Sequence, residues 1–161
     1  EVIVWLLSIG LWCIVVYTLR VALLGNPLYN ELRQTDPAIL EGAEKAAEDG
    51  YPPATQNEVL FLHRFSRRAL LELGAFGLEM GLLIYLLATG TLFWLSLVLF
   101  MKNAVMVAVS ITVARILGAG GGMFEAMRHL PSWIIWLDRG SALASAAGFL
   151  WIFFAINGFL G

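Results

Sequence analysis

Glu79 and Lys102 each stand near the middle of an apolar run long enough to cross a bilayer, and a short uncharged turn around Gly90 joins the two runs. The two charges lie about equally far from that turn. A helical hairpin therefore brings them to the same depth. An isolated charge at the bilayer centre costs about 2.5–3.5 kcal/mol on insertion scales. Opposite charges on adjacent helices offset that cost for each other. The sequence thus predicts a midplane pair of Glu79 and Lys102, with Asn103 as a polar neighbour.

Four runs have the length needed to cross about 30 Å of hydrocarbon. They cover 2–24, 69–88, 91–117 and 133–160. Hydrophobic residues make up 60% of the 161 positions and charged residues 14%, against about 25% charged in soluble domains. The mean hydropathy is +0.80. A soluble chain of this length has no core large enough for so much apolar surface. The fold class expected is all-α: a polytopic integral membrane protein of four transmembrane helices, forming a single membrane domain. The first run lacks a basic leader and a small-residue cleavage site. It reads as a retained anchor, not a secretory signal.

The largest polar region, 25–68, lies between the first and second spans and reads as helical pieces. Asp36 before Pro37 is a helix start, with a carboxylate cap and proline at the first helical position. Good helix formers continue to Asp49, and Gly50 is the stop. Tyr51-Pro52-Pro53 breaks the chain. Thr55 or Asn57 caps the next helix, which is amphipathic from Glu58 and runs on into the second span. The connection 118–132 holds Gly118, Gly120, Gly121 and Gly122, then about two helical turns before Pro131.

Arg33, Lys45, Arg64, Arg67 and Arg68 precede the second span, Arg115 stands at the end of the third, and Arg128 follows it. The turn at Gly90 has no Lys or Arg. The positive-inside rule then puts both long connections in the cytoplasm and both termini on the other side of a plasma or inner membrane. The tryptophans read as packing residues and interface anchors.

Several function classes are excluded. A net charge of −2 with no basic face argues against nucleic acid. The two histidines, His63 and His129, are far apart and in no ligand-spaced cluster. No metal or cofactor is expected. The lone Cys13 has no internal disulfide partner. No nucleophile motif is present, and the Gly-rich connection lacks the lysine and hydroxyl of a phosphate loop.

Two further groups stand out. Arg64, Arg68, Glu72, Arg115, Asp138 and Arg139 all fall near one membrane face and form an expected polar cluster, with Arg68, Arg139 or Arg115 reaching Glu72. Gly74, Gly77 and Gly81 suit close helix packing. A first span, a polar connection of about forty residues and three closer spans resemble the layout of the MAPEG family of glutathione-linked membrane enzymes. The resemblance implies a trimer with a thiol or lipid site at the start of the second span, where Arg64, Arg68 and Glu72 stand. Arg68 and Ala69 occupy the stretch where that family has an asparagine.

The leading expectation is a non-catalytic integral subunit that packs with copies of itself or with other membrane subunits in the bilayer. The alternative is a small oligomeric transporter or ion channel using Glu79 and Lys102. A membrane enzyme of MAPEG-like layout is the second alternative.

Overall fold

The computed structural model describes residues 2–118 and 122–158. Gly120 and Gly121 of the Gly-rich connection, and residues 159–160 at the expected end of the fourth span, lie outside them. Seven helices follow in order: α1 (Val2–Leu24), α2 (Pro27–Gln34), α3 (Pro37–Asp49), α4 (Gln56–Thr89), α5 (Phe93–Gly118), α6 (Met123–Arg128) and α7 (Ser132–Ile156). Four of them, α1, α4, α5 and α7, are long and apolar enough to cross a membrane. The chain is an all-α, polytopic membrane protein with extra helices between its first two spans.

Local chemistry sets the boundaries. Asn26 and Asp36 each accept from the backbone N–H two residues on, at 2.9 Å, with proline at the next position. Gly50 ends α3 in a left-handed conformation at φ 68°. Thr55 and Glu58 form a reciprocal capping box at the start of α4. From there α4 runs unbroken for 34 residues, about 51 Å at 1.5 Å per residue. That exceeds the hydrocarbon thickness, so its first turns project beyond the bilayer. They join α2, α3 and α6 in a cap. The tight turn to α5 uses left-handed backbone at Gly90 and at Leu92, φ 49°. Leu92 packs against the bundle core, and that contact holds a conformation a leucine otherwise avoids.

The spanning helices close a ring. α1 packs against α7 and α4, α4 against α5, and α5 against α7. Gly148 permits the last approach, because a Cβ there would come within 2.8 Å of the Leu99 side chain. Two apolar cores result. The bundle core holds Leu11, Leu83, Leu86, Phe149 and Ile152, all at most 1% exposed. The cap core joins Leu32, Leu40 and Ala43 to Phe61, Phe65 and Phe124. Phe124 meets both other rings edge-on at 5.0 and 5.6 Å, the arrangement aromatic quadrupoles favour.

Two expected outcomes concern the cap. A Cβ on Gly42 would run into the Glu58 carboxylate, which is buried and accepts the Thr55 N–H at 2.9 Å. Gly42→Val is expected to cost about 1–3 kcal/mol through overpacking and loss of the capping box. Thermal unfolding in detergent checks it, and an unchanged midpoint would contradict it. Partial burial, then the charge of Glu48, raise the Glu44 carboxyl above its ordinary value. The folded chain therefore binds that proton more tightly than the unfolded one. Its stability falls as pH rises from the unfolded value through the folded one. Glu44→Gln is expected to flatten the stability profile just above the ordinary carboxyl range, and thermal unfolding across pH checks it; an unchanged slope there would contradict it.

Candidate functional site

Between the two apolar cores lies a polar layer around a cavity of about 280 Å³. Every spanning helix contributes to it. α1 supplies Tyr17, α4 supplies Glu72 and Glu79, α5 supplies Lys102 and Asn103, and α7 supplies Asp138, Ser141 and Ser145. The cavity extends to Asn26, at the foot of the cap. None of the fully buried residues of the bundle core lines it.

Glu79 and Lys102 lie 11 and 12 residues from Gly90, on opposite sides of the turn, so both sit about 16–18 Å from it along their helices. They do not meet in a direct ion pair. Ser145, 1% exposed, stands between them. Lys102 Nζ donates to Ser145 Oγ at 2.8 Å, and Ser145 Oγ donates to Glu79 Oε1 at 2.8 Å. Asn103 Nδ2 donates to the same Glu79 oxygen at 2.8 Å. Lys102 also donates to Ser141 Oγ at 2.9 Å and Ser141 O at 3.3 Å. An ammonium has three donors, and all three are engaged. Glu79 is 9% exposed, and both its bonds fall on Oε1. Its Oε2 has no hydrogen bond among the described residues.

Nearer the cap the balance reverses. Glu72 Oε1, Asp138 Oδ2 and Tyr17 Oη are shielded from solvent and have no hydrogen-bond partner. Tyr17 and Glu72 are neighbours, close enough to interact electrostatically, yet those two atoms fall outside hydrogen-bonding geometry. Burying an unpaired polar atom costs about 1–3 kcal/mol, more if charged. Such atoms therefore mark a place where another group belongs.

The residues expected to cluster at one membrane face are dispersed. Glu72 and Asp138 share the cavity. Arg68 pairs instead with Glu31 of α2. Arg139 donates to the carbonyls of Ala22 at 2.8 Å and Leu23 at 2.5 Å, capping the end of α1, and its guanidinium lies 5.2 Å from the Trp136 ring. Arg64 and Arg68 line an open cleft against α2 and α3, and Arg68 also shares a pocket between α1 and α4 with Glu72 and Arg20. Arg115 is exposed near the end of α5. His129 binds Glu125 at 2.6 Å on the surface. Gly74, Gly77 and Gly81 lie on the outer face of α4, where a Cβ would meet nothing within 4 Å.

No family model, curated protein or solved structure matches this chain. Its chemistry must be read from the site alone. Among the described residues, no three His, Cys, Asp or Glu side chains converge on a metal position.

Ser141 and Ser145 stand out in the sequence as polar groups of the fourth span, but their bonds to Lys102 and Glu79 do not. Both are visible as hydroxyls on an apolar span four residues apart, which puts them on one helix face. Their facing Lys102 depends on how α7 is rotated against α5.

Proposed function

We propose that this chain is a small transporter or ion channel that moves charge through the cavity bounded by Glu79 and Lys102. The observation that carries this reading is the state of the charges. A pair that serves only to staple helices gains most when its charges touch and its lone pairs are filled. Here a serine separates them, one Glu79 oxygen is free, and two more carboxylate oxygens in the same cavity lack partners. Intramembrane ionisable groups facing a cavity are the usual mark of a charge pathway.

The bundle core is the closed end of that pathway. The cavity reaches toward the cap, and the apolar layer of Leu83, Leu86 and Phe149 bars the other side. Passage then requires α1 and α7 to move relative to α4 and α5, as in alternating access. The whole chain acts as one membrane domain. The distribution of arginine and lysine supports an orientation with the cap in the cytoplasm.

Self-association fits the same reading. Gly74, Gly77 and Gly81 leave a smooth strip on the outer face of α4, suited to a helix of a second subunit. A non-catalytic subunit would use that strip without the cavity.

The test is flux. The full chain is reconstituted in vesicles, and entry of protons (read by a trapped pH-sensitive dye) and of labelled guanidinium and methylammonium is driven by an imposed potential. Glu79→Leu with Lys102→Leu is expected to assemble and to lose the flux. Normal flux in the double variant, or none in the wild type, overturns the reading.

A further inference from the structure

We infer that the cavity binds a small organic cation carrying N–H donors, of the ammonium or guanidinium class, between the carboxylates of Glu72, Glu79 and Asp138. This rests on the reading of the cavity as a transport site and adds what it carries.

Hydrogen-bond valence decides the sign of the charge. Three carboxylates and one ammonium line the cavity, and counting Arg20 of α1, which shares a neighbouring pocket with Glu72 and Tyr17, the balance is still one negative charge. Lys102 has spent its three donors on Ser141 and Ser145, so an entering anion finds no free ammonium N–H. The open positions are three carboxylate acceptors, Glu79 Oε2, Glu72 Oε1 and Asp138 Oδ2, and one neutral hydroxyl, Tyr17 Oη, which can donate one bond but carries no charge. Glu79 is nine-tenths buried and lines the cavity. A cation that donates several N–H bonds fills these positions and neutralises the surplus negative charge. Charge-assisted bonds of this kind are about twice as strong as neutral ones.

Size and composition narrow the class. A cavity of 280 Å³ has the volume of about nine waters at roughly 30 Å³ each. That volume suits a small cation. A bare divalent metal is disfavoured, because no three of the ligating side chains converge among the described residues. The remaining wall is apolar. Phe76, Met106, Val107 and Ile111 face the same space. A hydrated inorganic ion gains nothing from that wall, whereas an organic cation rests its carbon on it. The rings of Phe76 and Tyr17 add a surface that attracts positive charge.

Equilibrium dialysis of the detergent-purified full chain tests this at fixed pH, with labelled guanidinium, methylammonium and acetate as probes. Guanidinium and methylammonium are expected to bind saturably and to displace each other, and acetate is expected neither to bind nor to compete. Glu72→Gln and Asp138→Asn are each expected to weaken binding about tenfold or more, the loss of one charge-assisted bond. If either variant fails to fold, the wild-type competition still decides. No saturable binding of either cation, equal competition by acetate, or full affinity in both folded variants overturns the inference. Flux without cation binding removes this assignment and leaves transport standing. Binding without flux does the opposite.

Discussion

Glu79→Leu alone is expected to destabilise the bundle by about 3–5 kcal/mol, and adding Lys102→Leu is expected to recover most of that loss. The single change removes the acceptor of Asn103 and Ser145 and leaves Lys102 bonded only to serine oxygens, with Asp138 across the cavity as its remaining opposite charge. The ammonium must then stay charged in a medium that solvates it poorly, or give up its proton. The double change removes both desolvation costs and puts apolar groups where lipid-like surroundings favour them. Unfolding of the wild type, the two single variants and the double variant in mixed micelles measures the coupling directly. Additive losses would mean that the two groups are energetically independent and that Ser145 does not link them. This stability result also separates from the flux result. A stable, assembled double variant without flux is the combination expected here.

Phe149→Ala is expected to produce the other large effect. Phe149 is fully buried at the centre of the bundle core, beside Leu83, Leu86 and Leu99. Removing a buried ring of this kind costs about 3–5 kcal/mol in soluble cores, through lost contacts and the cavity left behind. In the membrane the cavity term remains. The void adjoins the layer that seals the polar cavity, and apolar constrictions block ions by excluding water. A leak of protons and small cations is therefore expected across vesicles carrying this variant, about tenfold above wild type if the layer is the barrier. Phe149→Leu, which keeps most of the volume, is expected to leak little. Tight vesicles with the alanine variant would place the barrier elsewhere.

Much of this arrangement was legible in the residues. Four runs of sufficient length predict the four spanning helices, and the equal distances of Glu79 and Lys102 from Gly90 predict their common depth. Asp36-Pro37, Gly50 and Thr55 mark helix ends through local backbone chemistry, which sequence encodes directly. Asn26-Pro27 carries the same signature as Asp36-Pro37 and starts α2. What sequence did not reveal depends on rotation and partner choice. Arg68 stands four residues before Glu72, an interval that favours pairing, yet Glu31 of α2 offers it a better site. Glu72 then turns to a cavity that exists only because α1 and α7 close over it. Gly74, Gly77 and Gly81 suit helix contact by composition, but within the chain they face outward. The serine between Glu79 and Lys102 is set by the crossing of α5 and α7. No interval along the chain specifies that crossing.

All of this requires that the polar layer sit inside a bilayer, with the cap on one side and the Gly90 turn on the other. Labelling single cysteines from one side at a time with a membrane-impermeant thiol reagent tests it, in a Cys13→Ser background. Thr91, beside the turn, and Tyr51, in the cap, are both exposed and suit the substitution. Modification of Thr91→Cys and Tyr51→Cys from opposite faces is the expected result. Modification of both from the same face would contradict four crossings and remove the physical basis for a buried charge site.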